Sequence, residues 1–174
     1  MKHPHWCLVD TNIPALANGT EDEELFNVSD DCVDLLVKLT KQGGLVLDDG
    51  ARIFNEYRAN LRLSGQPGTG DQFMKWVHDY RWNEQYCRLV PITCTDESNQ
   101  IFEEFPEHPD LEDFDVSDRK FVAVANSSVE KVPIMQAVDF KWWGWEPALK
   151  EAGIEVAFLD PVLAKRKYEE HLGK

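Results

Sequence analysis

Trp6-Cys7-Leu8-Val9-Asp10-Thr11-Asn12 is the stretch on which the fold turns. A brief apolar run stops at an acid and a turn-forming Thr-Asn pair without any helical periodicity. This predicts a short buried strand with Asp10 at its carboxyl end. Three more segments carry a single acid in an apolar setting. They are Ile53-Phe54-Asn55-Glu56-Tyr57, Ser117-Asp118-Arg119-Lys120-Phe121-Val122-Ala123-Val124-Ala125 and Ile134-Met135-Gln136-Ala137-Val138-Asp139. If the fold gathers Asp10, Glu56, Asp118 and Asp139 at one point, the four carboxylates repel too strongly to stay ionised without bound cations.

The pattern between these segments alternates strand and helix. Asp30 to Lys41 reads as a helix with Val33, Leu35, Leu36, Val37 and Leu39 on a wide apolar face, capped by Ser29 or Asp30 and ended by Gly43-Gly44. Leu45-Val46-Leu47 is a second strand that stops at Asp48-Asp49-Gly50. A helix follows over Ala51 to Leu63, with Glu56 on it, and another opens at Asp71 after the Ser64–Gly70 loop. Arg88 to Ile92 is a strand whose Pro91 suggests a sheet edge. Thr95 to Asp115 is acidic, rich in proline and irregular; Asp118 then opens an apolar helix. Strands over Val132–Val138 and Ile154–Leu159 flank a helix around Pro147–Ala152. Strands alternating with helices predict a parallel sheet in an α/β fold.

The 174 residues suit one domain, by the usual prior of roughly 100–200 residues each. The apolar fraction of 43% is that of an ordinary globular chain. No apolar run approaches the roughly 20 residues that span a bilayer, and Met1-Lys2-His3-Pro4-His5 leads straight into a strand, so no membrane role and a cytoplasmic location are expected. Cys7, Cys32, Cys87 and Cys94 form no CxxC pair and read as reduced core thiols, and the His3–His5 pair reads as a solvated tail. Thirty-two acids against 18 bases give a net charge of -14, which argues against general electrostatic binding of nucleic acid. Any such partner must be held locally.

In an open parallel sheet, ligands bind beyond the carboxyl ends of the strands. Asp10 and Asp139 end strands there, and helices carrying Glu56 and Asp118 can flank the same crevice. Carboxylates of this kind suit hard cations, Mg²⁺ or Mn²⁺. Two such ions about 4 Å apart can activate water and stabilise a leaving oxygen in phosphodiester cleavage.

From Trp6 to about Leu159 the chain resembles the PIN-domain family of metal-dependent nucleases. The resemblance rests on the strand closing on Asp10-Thr11-Asn12, on Glu56 in the helix after the second strand, on Asp118 before Phe121-Val122-Ala123-Val124-Ala125, and on Val138-Asp139-Phe140 ahead of Gly153-Ile154-Glu155-Val156. It implies a three-layer α/β/α sandwich with a central parallel sheet over residues 1–174. The chain exceeds the compact toxin-type members by added material around 65–84 and 95–115. It further implies Mg²⁺ or Mn²⁺ dependence and endonucleolytic cleavage of single-stranded RNA. Many small bacterial members are toxins paired with an antitoxin protein, and a homodimer is consistent with the family. Carried over by position, Asp10, Glu56, Asp118 and Asp139 are the metal-binding acids, with Thr11 or Asn12 assisting by hydrogen bonds. Asp115 stands close enough to Asp118 to share or replace its role.

Arg119, Lys120 and Lys141 flank the acids and are candidates for holding phosphate, or for surface ion pairs worth little. Trp142, Trp143 and Trp145 suit core packing first and stacking on unpaired bases second. Asp10 alone can be a turn former and Asp118 a helix-start residue; Glu56 can be a solvated helix residue, with Asp48 and Asp49 as alternative acids. Two rival functions remain. One is a PIN-like module that no longer cuts and binds protein through its acidic segment and tryptophans. The other is receiver- or dehalogenase-type phosphoryl chemistry, disfavoured because Asp10-Thr11-Asn12 lacks a D-x-D-x-T pattern.

Overall fold

Short apolar runs set the sheet. A computed structural model of the protein describes residues 5–63 and 67–172. Among the described residues there are seven strands: β1 (Leu8–Val9), β2 (Leu45–Asp48), β3 (Cys87–Val90), β4 (Cys94–Asp96), β5 (Ile101–Phe102), β6 (Ile134–Gln136) and β7 (Val156–Phe158). The α-helices among the same residues are α1 (Asn12–Ala17), α2 (Phe26–Gln42), α3 (Arg52–Asn60), α4 (Thr69–Tyr80), α5 (Arg119–Ser127), α6 (Lys141–Glu151) and α7 (Pro161–Leu172). The architecture is mixed α/β with parallel strands, as the alternating pattern predicts.

β1, β6 and β7 pair in parallel, with Leu8 opposite Ile134 and Ile134 opposite Val156. β2 and β3 form a second parallel pair. A bridge from Cys7 to Leu45 joins the two, through Cys7 N–H to the Gly44 carbonyl at 2.8 Å and Val46 N–H to the Cys7 carbonyl at 2.9 Å. The lateral order is therefore β3-β2-β1-β6-β7, and its direction reverses at β1. Residues Cys7 to Val9, Leu45 to Asp48 and Ile134 to Gln136 are all buried, as strands covered on both faces require. Gly44 makes the join possible. At φ +110° it takes a backbone that disfavours a side chain, and a Cβ there would stand 1.8 Å from the His5 carbonyl oxygen.

Helices cover this sheet and one another. α3 and α5 pack on β2, α5 and α1 reach β6, and α6 and α7 lie on β7, while α1, α2 and α4 pack together. Over its described part the 65–84 stretch carries α4, which sends Phe73, Met74, Trp76 and Val77 into the core. Ser64, Gly65 and Gln66 of the predicted loop, and His3 of the predicted tail, lie outside the described residues. The 95–115 stretch holds the antiparallel β4–β5 hairpin and a 3-10 turn at Pro109–Leu111, and it buries Phe102, Leu111 and Phe114.

Several local expectations need correction. α2 begins at Phe26, after a 3-10 turn capped by Asp22, so Ser29 is not a cap. It is buried, and its hydroxyl donates to the Leu16 carbonyl at 2.9 Å, tying α2 to α1. Thr11-Asn12 opens α1, whose Pro14 sits in the first turn where a missing N–H costs nothing. α6 starts at Lys141 and carries Pro147 within it. α7 follows Asp160, whose carboxylate accepts from Leu163 N–H at 2.9 Å, with Pro161 as the first helical residue. All four cysteines are free, and Cys7, Cys32 and Cys87 are buried. Among the described residues no helix is long and apolar enough to cross a membrane.

Candidate functional site

The point where the strand order reverses is the predicted crevice, and Asp10 stands there as β1 ends. It is buried, and both of its hydrogen bonds come from neutral donors. Oδ1 accepts from Asn12 N–H at 3.0 Å and Oδ2 from Gln136 Nε2 at 2.8 Å. Gln136 in turn accepts from Asn12 Nδ2 at 2.7 Å, and Asn12 Oδ1 accepts from Ala137 N–H at 3.1 Å. This closed ring locks the turn after β1 to the end of β6 and holds the Asp10 carboxylate in one orientation.

Burial pushes the Asp10 carboxyl up to about 8, and the charges of Asp118, Glu56 and Asp139 add to that, against the Asn12 hydrogen bond. Asp118, the residue before α5, is raised to about 7 by burial and by Asp139, Asp115 and Glu56. Trp142 opposes this by donating Nε1–H to Asp118 Oδ2 at 3.3 Å. Asp139, three residues past β6, is raised by burial and by Asp115, with Lys141 opposing. Asp10 thus lies in the field of Asp118, Glu56 and Asp139, and Asp118 in that of Asp139 and Glu56. The fold therefore brings Asp10, Glu56, Asp118 and Asp139 into one neighbourhood from four separate segments.

They do not form a finished ligand shell. Among the described residues no group of three or more His, Cys, Asp or Glu side chains is set to hold a metal ion. Glu56 explains part of that spacing. Its Oε1 accepts from Lys120 Nζ at 2.9 Å, and its Oε2 accepts from the Thr11 hydroxyl. Lys120 also donates to the Ser117 carbonyl and is only 6% exposed. Thr11 thus hydrogen-bonds to Glu56, and Asn12 to Asp10. Asp48, the alternative acid, caps α3 instead, accepting from Arg52 and Ile53 N–H, each at 2.9 Å. Asp49 accepts from Ile92 N–H at 3.4 Å. Asp115 stands at the rim, accepting from Ser117 at 3.3 Å and from Lys141 Nζ at 3.4 Å.

The three expected phosphate-holding cations part ways. Lys141 sits at the rim. Lys120 points inward to Glu56, because the apolar helix that starts after Asp118 buries its first turn. Arg119 lays its guanidinium 5.6 Å from the Phe105 ring and lines a cavity beside the β4–β5 hairpin. The tryptophans are packing residues: Trp142 is fully buried, edge-on to Phe114 at 5.0 Å, Trp145 lies 4.5 Å from the same ring, and Trp143 lies 5.3 Å from Phe158. Trp142 has no face left for a base.

Gln136 and Tyr57 are site residues that the pattern reading passed over. Tyr57, on the same helix as Glu56, donates its hydroxyl to the Val9 carbonyl at 2.5 Å. Gln136 has a recognisable signal, since a lone amide inside Ile134-Met135-Gln136-Ala137-Val138 needs a polar partner once buried. Asp139 also borders an 830 Å³ cleft between the start of α6 and α7, with Lys141, Trp145 and Tyr168 along its walls. No family model matches the chain, and neither does any curated protein or solved structure.

Proposed function

We propose that this chain is a PIN-type α/β/α nuclease, three layers deep, that uses Mg²⁺ or Mn²⁺ to cleave single-stranded RNA endonucleolytically. The observation that carries the reading is Asp10. A carboxylate is buried at the reversal point of a parallel sheet, oriented by two neutral donors, with Asp118 and Asp139 in its field. A site built to stabilise a protein would not leave such charges uncompensated.

The donor set fits a hard divalent cation: oxygen only, anionic, and with no thiolate or imidazole among the four acids. Asp10, Asp118 and Asp139 would hold it, with Glu56 beside them. When bound, such an ion lowers the pKa of water and neutralises charge developing on a phosphodiester. The chain's own residues do the rest. Gln136 and Asn12 fix Asp10, Trp142 fixes Asp118 through its N–H, and Lys141 at the rim supplies local positive charge to a phosphate backbone. With a net charge of -14 the surface gives that backbone no general attraction.

The roles of toxin, antitoxin partner and homodimer rest on the family resemblance alone. A metal-titrated cleavage assay on generic single-stranded RNA and DNA, with Asp10→Asn as control, tests the reading. Undiminished cleavage by a folded Asp10→Asn protein would sink it.

A further inference from the structure

β3 is the outer strand of the order β3-β2-β1-β6-β7, and a 620 Å³ cavity lies along it. Arg81, Trp82 and Glu84 line it from the segment entering β3, Arg88 from β3 itself, and Val129 and Glu130 from the segment entering β6. Segments that enter parallel strands stand at their amino ends, so the cavity reaches toward the end of the sheet opposite Asp10. Trp82 is 67% exposed, and its ring lies 5.0 Å from the Arg81 guanidinium. Arg81 is also 4.0 Å from the Phe54 ring and donates through Nη1 to the His78 carbonyl at 2.9 Å. It pairs with no carboxylate among the described residues, and its Nε is buried without a hydrogen-bond partner. Arg88 lies 3.9 Å from the Trp6 ring; its carboxylate partner, Glu130 at 3.3 Å, makes a solvent-exposed pair of the kind worth little.

A guanidinium set over a ring keeps its in-plane N–H groups for an anion. Two of them share this cavity with an exposed tryptophan, in a chain of 18 bases against 32 acids. The geometry points to a binding site for a nucleoside phosphate, with the base against Trp82 and the phosphate on Arg81 and Arg88. Stacking on an aromatic ring combined with local cations is how unpaired nucleotides are held. Glu84 supplies an acceptor for an exocyclic amino group of the base. The volume suits one nucleotide, since small-ligand pockets run from about 300 to 1,000 Å³. An extended peptide would instead need the backbone of the edge strand, which Pro91 cuts short by removing an N–H. Neither the acid cluster nor a metal ion is needed for this site.

The test is calorimetric titration of the full-length chain in chelator, so that no strand is cut. Adenosine monophosphate, adenosine, inorganic phosphate and a short single-stranded RNA are each added to wild type, Trp82→Ala and Arg88→Gln. Wild type is expected to bind the nucleotide at one site, at least about tenfold tighter than adenosine or phosphate, each of which makes only half of the contacts. Trp82→Ala and Arg88→Gln should each weaken that binding at least about fivefold, the low end of what one base–aromatic stack contributes. RNA bound no tighter than the nucleotide identifies a free nucleotide as the occupant, and RNA bound tighter identifies a strand. No binding of either by wild type, phosphate bound as tightly as the nucleotide, or undiminished binding by a folded Trp82→Ala or Arg88→Gln would overturn the assignment and leave the nuclease reading standing. Trp82 is exposed, so if Arg88→Gln fails to fold, Trp82→Ala decides alone.

Discussion

Replacing Asp10 by Asn should make the metal-free protein more stable at neutral pH, and the size of the effect follows from the site. Burial and the neighbouring acids raise the Asp10 carboxyl from 3.8 to about 8. Because the folded value lies above the unfolded one, the folded state holds the extra proton, and stability is lost as pH rises through this window. At about 1.4 kcal/mol per unit, the loss from Asp10 reaches about 4 kcal/mol at pH 7 but only about 2 kcal/mol at pH 5. Asparagine has no such penalty. It does turn an N–H toward Asn12 N–H or Gln136 Nε2, since it can accept through only one atom, and that mismatch costs about 1–3 kcal/mol. The balance at pH 7 is a gain of about 2 kcal/mol, or about 4–8 °C in Tm for a chain of this length. At pH 5 the two proteins should melt nearly together. Thermal melts at pH 5, 7 and 8.5 in chelator measure this, and a repeat in millimolar Mn²⁺ should reverse the order, raising wild type above the variant. A metal-free Asp10→Asn protein that melts below wild type at every pH would refute the reasoning.

Gln136→Leu, which leaves Asp10 Oδ2 and Asn12 Nδ2 without their partner, should cost about 1–3 kcal/mol in denaturant melts. It should also weaken Mn²⁺ binding at least about tenfold by calorimetry. Gly44→Ala forces a Cβ onto the His5 carbonyl and should cost at least about 2 kcal/mol; unchanged stability would contradict the β1–β2 join. In native protein at pH 8 a thiol reagent should modify Cys94 first. Cys7, Cys32 and Cys87, whose thiols burial pushes up to about 12, should react only on unfolding, so more than one fast thiol per chain would count against this core.

The strands are readable because buried parallel strands are unbroken apolar runs: Leu8–Val9, Ile134–Gln136 and Val156–Phe158 fall inside the predicted segments, and Leu45–Asp48 runs one residue past its own, into the expected stop at Asp48. The meeting of Asp10 and Asp139 follows from one topological rule, that the segments leaving the strands converge where the order reverses, whereas Glu56 arrives on α3 and Asp118 just before α5. Helix starts were harder. Thr11-Asn12-Ile13-Pro14 carries both turn and breaker residues, yet a proline in the first turn is compatible with α1. Trp142-Trp143-Gly144-Trp145 has no helical period, so only the later half of α6 was visible. Asp160-Pro161 starts α7 with an acid before a proline at the first helical position, a short signal with no apolar period beside it. Lys120 was out of reach for a different reason. A lysine next to an aspartate reads as a surface pair, and its burial against Glu56, 64 residues away, is a property of the packed fold.

The most direct test of the central claim is the chemistry of cleavage. End-labelled single-stranded RNA is incubated with wild-type protein over a Mg²⁺ or Mn²⁺ titration, and with Asp10→Asn as control. The account predicts no cleavage in chelator, cleavage that rises with metal, and none by the variant. The products should carry linear phosphate ends, because a water molecule attacks the phosphodiester. Metal-independent cleavage, products ending in a 2′,3′-cyclic phosphate, or no cleavage at saturating metal would contradict it.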